Sequence, residues 1–544
     1  MQHSQEHSRD RLGVVTIGIM MRFAAVALLA ASSMYLSAQA PQHPRDGEIH
    51  DPDTLAWWHT TEALSNDSME GRDTGTAAYQ RAAEYVADRF KAAGLKPAGD
   101  DGTYFQRVPM HEVDTTVAGT SFVVERKATT LAFAFLQEMT ATWTPEALDE
   151  GEGPLTFRGF CGRDAMKNIQ GKIVVCFGTQ RQGMPSGAER AKNAHDGEAL
   201  GVVNVDDPYF SIEPPRWPYA YARSVTLVKG GAARVANGPR MLPGMRLSAN
   251  AFSKLLQGTG HDAALILKAG GAKEPLESFD IPGTMKVKLA ATEKDIASPN
   301  ILAVLPGSDP ALANTYEVVG AHLDGYGFGT PVKGDSLYNG TLDDAAYVAL
   351  LIQMADDIQA RRLDLAAPKR SILFCAFTGE EKGLLGSNWF VQHPTIPPAK
   401  MVADVNLDQL RPLFPLNILT AEALEDTTLG DTARQVGQSM KIALRPDMEP
   451  ERGLLRRADQ YPFLSVLHVP AISFIFGYDT GTDAEKRYRE WYQVRYHRPQ
   501  DDLTQPMDFN AALQFDKFFY RLVEAIANDP IKPAFLPGSQ FLPK

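Results

Sequence analysis

Cysteine is scarce in this chain: three in 544 residues, at positions 161, 176 and 375. Three thiols cannot build a disulfide framework, and none stands at zinc-finger spacing. A metal ion here would therefore have to be held by histidine and carboxylate. Cys161 and Cys176 could pair if the chain is exported. Positive charge is not in excess either. The 54 basic residues stand against 66 acidic ones, for a formal charge of −12 with no basic stripe, which argues against nucleic acid as a partner. Past residue 40, no apolar run approaches the ~20 residues needed to span a bilayer. What remains is ordinary globular composition, 44% hydrophobic and 22% charged, long enough for about two to four domains with buried cores.

The N-terminus reads as a targeting segment. Met21-Arg22 precede an apolar run over 23–31, and Ala38-Gln39-Ala40 forms an A-x-A site. This is the layout of a secretory signal peptide. Cleavage is expected after Ala40, giving a secreted or periplasmic protein with no stable membrane insertion. Beyond it, 41–117 is expected to hold two helices, over 55–64 and 78–93, the second stopped by Gly94. Residues 118–272 change to short β-like runs between Gly, Pro and Asp. Their clearest unit is a strand over 171–176, a helix over 188–199 and a strand over 201–205, a small α/β insert. From 298 onward apolar strands alternate with helical patterns, at 300–304, 316–321, 371–377, 401–407 and 471–477. Such an alternation reads as α/β, a largely parallel sheet covered on both faces.

Open α/β sheets bind ligands at the carboxyl ends of their strands, so those ends carry the functional question. The strand over 316–321 ends in His322 and Asp324. Residues two apart in a strand share a face, so one could bind a metal while the other orients the imidazole. The strand over 371–377 leads into Glu380-Glu381, the strand over 401–407 into Asp408, and the strand over 471–477 into a loop reaching His497 and Asp501. Asp343 joins them where a helix begins. Taken singly these have plain explanations: Glu-Glu as solvated surface, Asp343 as a helix N-cap. Their joint placement at one sheet edge makes them a site. Two histidines and several carboxylates suit zinc or a related divalent ion. The set is large enough for two metals sharing a carboxylate, with Glu380 or Glu381 left to take a proton from water.

The stretches GAHLDGYG, GDSLYNGTLDDAA, FTGEEKGLLGS, VNLDQL, RRADQYPF and RYHRPQDDL lie in one order between 298 and 507. There the chain resembles metallopeptidase family 28, the di-zinc exopeptidases that include bacterial leucyl aminopeptidases. SMEGRDTGT and KAAGLKPAGDDGTYFQ resemble the N-terminal part of the same domain. QGKIVVCFG with AERAKNAHDGEALGVVNV resembles a protease-associated domain.

The resemblance implies a three-layer zinc-exopeptidase fold of the phosphorylase/hydrolase-like kind, made from 41–117 and 273–535 around an insert over 118–272, with a tail over 536–544. It implies two Zn2+ ions, with Co2+ or Mn2+ as alternatives. His322 and Asp408 would hold one, Glu381 and His497 the other, and Asp343 would bridge them. The implied catalytic residues are Glu380, as general base toward a water shared by the metals, and Asp324, behind His322. Asp501 would support His497. The implied activity is removal of N-terminal residues from peptides. The runner-up is a glutamate carboxypeptidase-like exopeptidase, whose carboxylate-reading cluster Arg452, Arg456 and Arg457 could supply. Glutaminyl cyclisation fits less well because the ligand set is complete. The reading from another class is an inactive, receptor-like binding protein. The chain departs from the family at Tyr347 and Gln460, both expected to shape the substrate pocket.

Overall fold

The computed structural model describes residues 43–143, 146–178, 183–228, 240–360 and 367–542. The expected leader, 1–40, lies outside them. The chain divides into two compact units, one up to Leu55 and one from Ala56 onward. In the first, a short 3-10 turn at Asp46–Glu48 is tied by Arg45 to Glu48 at 2.7 Å.

The two expected N-terminal helices are α1 (Pro52–Ser65) and α2 (Ala77–Ala92). Thr76 caps α2 by accepting the N–H of Tyr79. Its buried residues Tyr79, Ala82, Ala83, Val86 and Phe90 form one stripe, as a 3.6-residue period requires. Gly94 ends it with φ +79°, a conformation that costs glycine nothing.

A ten-stranded sheet forms the frame. Its main path uses β1 (Phe105–Thr115), β2 (Ala222–Leu227), β3 (Ala291–Leu305), β4 (Tyr316–His322), β5 (Ser371–Phe377), β6 (Met401–Leu407), β7 (Ile418–Glu422), β8 (Ala443–Pro446) and β9 (Ala471–Phe476). Their spatial order is β8-β7-β9-β6-β4-β5-β3-β1-β2. β5, β4, β6 and β9 run parallel, as do β7 and β8, whereas β3/β5, β1/β3, β1/β2 and β7/β9 are antiparallel. The sheet is therefore mixed, and less parallel than the strand–helix alternation suggested. Parallel neighbours need a long crossover between them. In the middle of the sheet such crossovers are built from α3 (Ala346–Ala360) and α4 (Leu385–Gln392), and at one edge the helix Leu429–Met440 joins β7 to β8.

The four central strands are almost entirely buried, and α3 packs on β4. On β9, Phe474 and Phe476 meet Phe518 and Phe515 of the C-terminal helix Phe509–Asn528. The alternate residues Ser473 and Ile475 face the opposite way, into a cavity.

A second, eight-stranded sheet is built from strands between Ser121 and Lys288. Its Ile173–Phe177, Gly187–Asp196 and Gly201–Val205 are the expected strand, helix and strand, and Cys161 is bonded to Cys176 beneath them. Two features cross the composition boundary. Ser278–Lys288 belongs to this second sheet, and β2, from the middle of the insert's span, pairs with β1 in the first. Backbone pairing sets both, and local sequence carries little trace of a partner more than a hundred residues away. No helix of the described residues is long and apolar enough to cross a membrane.

Candidate metal centre

The carboxyl ends of β4, β5 and β6 meet in one crevice. His322 closes β4, Glu380 and Glu381 follow β5, and Asp408 follows β6. Asp343 comes from an irregular turn, Thr341–Ala345, ahead of α3. His497 arrives after the helix Asp483–Val494. Each of the expected ligands reaches this place. They fall into two groups whose ligand atoms lie within 4.8 Å of one another: His322, Asp343 and Asp408, and Asp343, Glu381 and His497.

Asp343 belongs to both groups, and it divides its carboxylate between them. Oδ1 lies 3.2 Å from Nε2 of His322, and Oδ2 lies 3.3 Å from Nε2 of His497. Asp408 Oδ1 is 3.6 Å from His322 Nε2, and Glu381 Oε2 is 3.2 Å from His497 Nε2. Glu380 stands slightly back, 3.9 Å from the same His322 nitrogen.

The donor set fits divalent cations. Asp343 Oδ2, Glu381 Oε1 and Asp408 Oδ1 are buried oxygens without a hydrogen-bond partner, an arrangement that costs free energy unless something positive faces them. Burial pushes the carboxyls of Glu380, Glu381 and Asp408 up, the neighbouring carboxylates adding to it and His322 opposing it. Burial together with Arg216 holds the His497 imidazole down at about 4, which keeps it neutral and able to ligate.

The supporting contacts differ from those expected of two residues. Asp324 does orient His322, but through its backbone: His322 Nδ1 donates to the Asp324 carbonyl at 3.0 Å. Its carboxylate lies 3.8 Å from the same nitrogen and also accepts the N–H of Glu380 at 3.0 Å and the Thr74 hydroxyl at 2.9 Å. Asp324 thus fixes the loop that carries Glu380. The Asp501 carboxylate accepts instead the N–H groups of Leu342 and Asp343, each at 3.1 Å, and an N–H of the Gln505 side chain. It supports the Asp343 turn because the 497–501 chain reverses there, pointing its carboxylate back at that turn.

The partner of His497 is Tyr326, whose Oη lies 3.0 Å from Nδ1. Tyr326 sits two residues after Asp324 in a motif already singled out, yet nothing local shows that its ring reaches a residue 171 positions away. Tyr326→Phe is expected to weaken zinc binding about 10- to 100-fold, read by competition with a chromogenic chelator. Unchanged affinity would show that Tyr326 does not hold the imidazole.

Arg72 is a second residue the sequence did not reveal. Fully buried, it donates to the carbonyls of Leu323, Leu64, Asn339 and Gly340. It thereby joins the N-terminal segment to both loops that carry His322 and Asp343.

A cavity of about 580 Å³ opens over the cluster. Its far wall comes from the insert's span: Asp206, Glu213, Arg216, Pro218, Tyr219 and Ala220. Glu213 fastens that wall. Its carboxylate accepts from Arg457 at 2.7 and 3.1 Å and from Arg216 at 3.2 Å, with Arg452 at 3.6 Å. Burial opposes its charge, but these arginines hold it well below the usual carboxylate range. Glu213→Ala would take the shared counter-charge from the buried Arg452 and the half-buried Arg216 and Arg457 and is expected to cost about 3 kcal/mol, measured by urea unfolding. A loss below about 0.5 kcal/mol would mean the cluster is not a fastening.

Of the two departures from the family pattern, only Gln460 lines the cavity. Tyr347 is fully buried, its ring against Phe515 and its hydroxyl toward the Phe474 carbonyl at 3.4 Å. It fills the core, because the first turn of α3 rotates it away from the crevice.

Residues 300–522 match the family model described as Peptidase family M28. The same fold occurs in an aminopeptidase from Aneurinibacillus sp. strain AM-1, with a TM-score of 0.57 at 18% identity over 89% of this chain and 96% of that one. A probable zinc metalloprotease of Pyrenophora tritici-repentis is 27% identical over 266 residues, 43% of this chain and 58% of its own length. A glutamate carboxypeptidase 2 homolog of Caenorhabditis elegans is 24% identical over 257 residues, 43% of this chain and 31% of its own length. The chain therefore spans 58% and 31% of the length of these two curated relatives.

Proposed function

We propose that this chain is a zinc-dependent aminopeptidase with a two-cation centre. The observation that carries the reading is the divided Asp343 carboxylate, one oxygen toward each histidine, with Glu380 at the edge of the same cavity. His322 and Asp408 would hold one Zn2+, Glu381 and His497 the other, and Asp343 both. Zinc bound there supplies Lewis-acid polarisation of the scissile carbonyl and acidification of water. Glu380 accepts the proton of the attacking water and returns it to the leaving amine. Asp324 keeps Glu380 in place from behind.

The arginines that a carboxypeptidase would use are already occupied. Arg452 is buried between Glu213 and Tyr488, and Arg457 grips Glu213. Only Arg456 of the three is exposed at the cavity. The complete ligand set likewise speaks against a receptor-like protein on an inactive fold.

Helices packed on β3 and β4, and others beside β6 and β9, support a three-layer arrangement. The body over 121–288 is read as a protease-associated insert that narrows access. The leader pattern over 1–40 and the Cys161–Cys176 bridge support export to an oxidising compartment. The test is cleavage of one peptide with its amine free or acetylated, with and without chelator. Cleavage of the free form alone, lost with chelator, is expected; equal cleavage of both forms would refute aminopeptidase action.

A further inference from the structure

Away from the metal-binding group, the cavity is floored by Glu422, Ser473, Ile475 and Gln460. The first three share a face for a simple reason. Glu422 of β7 stands directly opposite Ser473 of β9, so their side chains project to the same side of the sheet, and Ile475 lies two residues on. The register also places this floor. β6, which delivers Asp408, borders β9, and β7 lies one strand further. Two strand spacings make about 10 Å, roughly the reach of a long side chain whose backbone sits at the metal-binding edge.

The floor is polar and unsatisfied. Gln460 is fully buried, and neither atom of its amide has a hydrogen-bond partner. Glu422 is 5% exposed, and its Oε1 has none. Such groups are expensive to leave unpaired, and here they face a cavity large enough for a ligand.

We propose that this floor is the subsite for a cationic side chain, lysine or arginine, at the N-terminus of the substrate, with Glu422 as its counter-charge and Gln460 and Ser473 as hydrogen-bonding neighbours. The inference rests on the aminopeptidase reading above. The sign of the charge follows from what surrounds Glu422. Among the described residues neither Glu422 nor the nearby Asp447 is in an ion pair. Burial, and then Asp447, push the Glu422 carboxyl up to about 8, and Asp447 is raised as well. The cation felt by both is Arg452, whose guanidinium is directed to Glu213, Glu449 and Tyr488. A substrate cation would supply the charge this corner lacks. The rim arginines are largely engaged: Arg216 and Arg457 hold Glu213, and Arg246 holds Asp206. An acidic side chain would have to use Arg456 at the rim and would leave the floor unpaired.

The experiment compares kcat/KM of the zinc-loaded chain on the 4-nitroanilides of lysine, arginine, leucine and glutamate, each with its amine free and acetylated. The wild type is expected to favour lysine and arginine over leucine and glutamate. Glu422→Gln is expected to lower the lysine-to-leucine ratio about 100-fold. A wild-type preference for leucine or glutamate would overturn the subsite and leave aminopeptidase action standing; this comparison does not depend on how the variant folds. An unchanged ratio in Glu422→Gln would do the same. Equal cleavage of acetylated substrates would remove the reading beneath the proposal, and the subsite with it.

Discussion

Glu380→Gln is expected to lower turnover about 10³-fold, within the range that general acid–base catalysis contributes, while zinc content stays at the wild-type value. The separation of the two effects follows from geometry. Glu380 is outside both ligand groups. Its Oε2 is 3.9 Å from His322 Nε2, farther than Asp343 or Asp408, and its side chain borders the cavity where a peptide would lie. Its backbone is held by Asp324 whichever side chain it carries. Glutamine keeps the shape and removes the proton acceptor. Turnover surviving in a variant shown to hold zinc would assign the base elsewhere; loss of zinc together with activity would make Glu380 a ligand.

Asp343→Ala should be as damaging by another route. Asp343 alone stands in both groups, so removing it takes one oxygen from each. Its N–H is anchored by Asp501, so the turn itself should survive the substitution. The expected result is zinc well below stoichiometric and a loss of several kcal/mol of transition-state stabilisation, about 10³-fold in rate. Asp408→Ala, which touches one group, should retain part of the metal. If Asp343→Ala and Asp408→Ala lost the same amount of zinc, Asp343 would not be the shared ligand.

Most of the ligands were legible in the sequence because they stand at or just past the end of an apolar strand, and strand ends of an α/β sheet converge. His322, Glu381 and Asp408 could be placed by that rule alone, and the strand boundaries at Ser371–Phe377 and Met401–Leu407 agree residue for residue with the expected ones. What escaped was the set of contacts that hold those ligands. Tyr326 finds His497 and Arg72 finds Gly340 across more than 150 residues, and local pattern carries no record of such a partner. Asp324 stands behind His322 as expected, but spacing does not show that its carboxylate also holds the Glu380 backbone or that Asp501 turns to the Asp343 turn. Tyr347 marks the same boundary. A large residue beside a ligand suggests a pocket wall, but helix phase puts it in the core. The sheet is less parallel than the alternation suggests for a related reason: on one flank β1, β2 and β3 are joined through the second sheet, and that link lies in pairing.

The claim on which the rest depends is that this cluster holds two cations. Zinc bound per chain, measured by elemental analysis after dialysis of the purified full-length protein and followed through stepwise removal and return of the metal, tests it directly. The account predicts two equivalents, with activity lost on removal and regained on return. One equivalent restoring full activity, or binding that persists undiminished in Asp343→Ala, would contradict it.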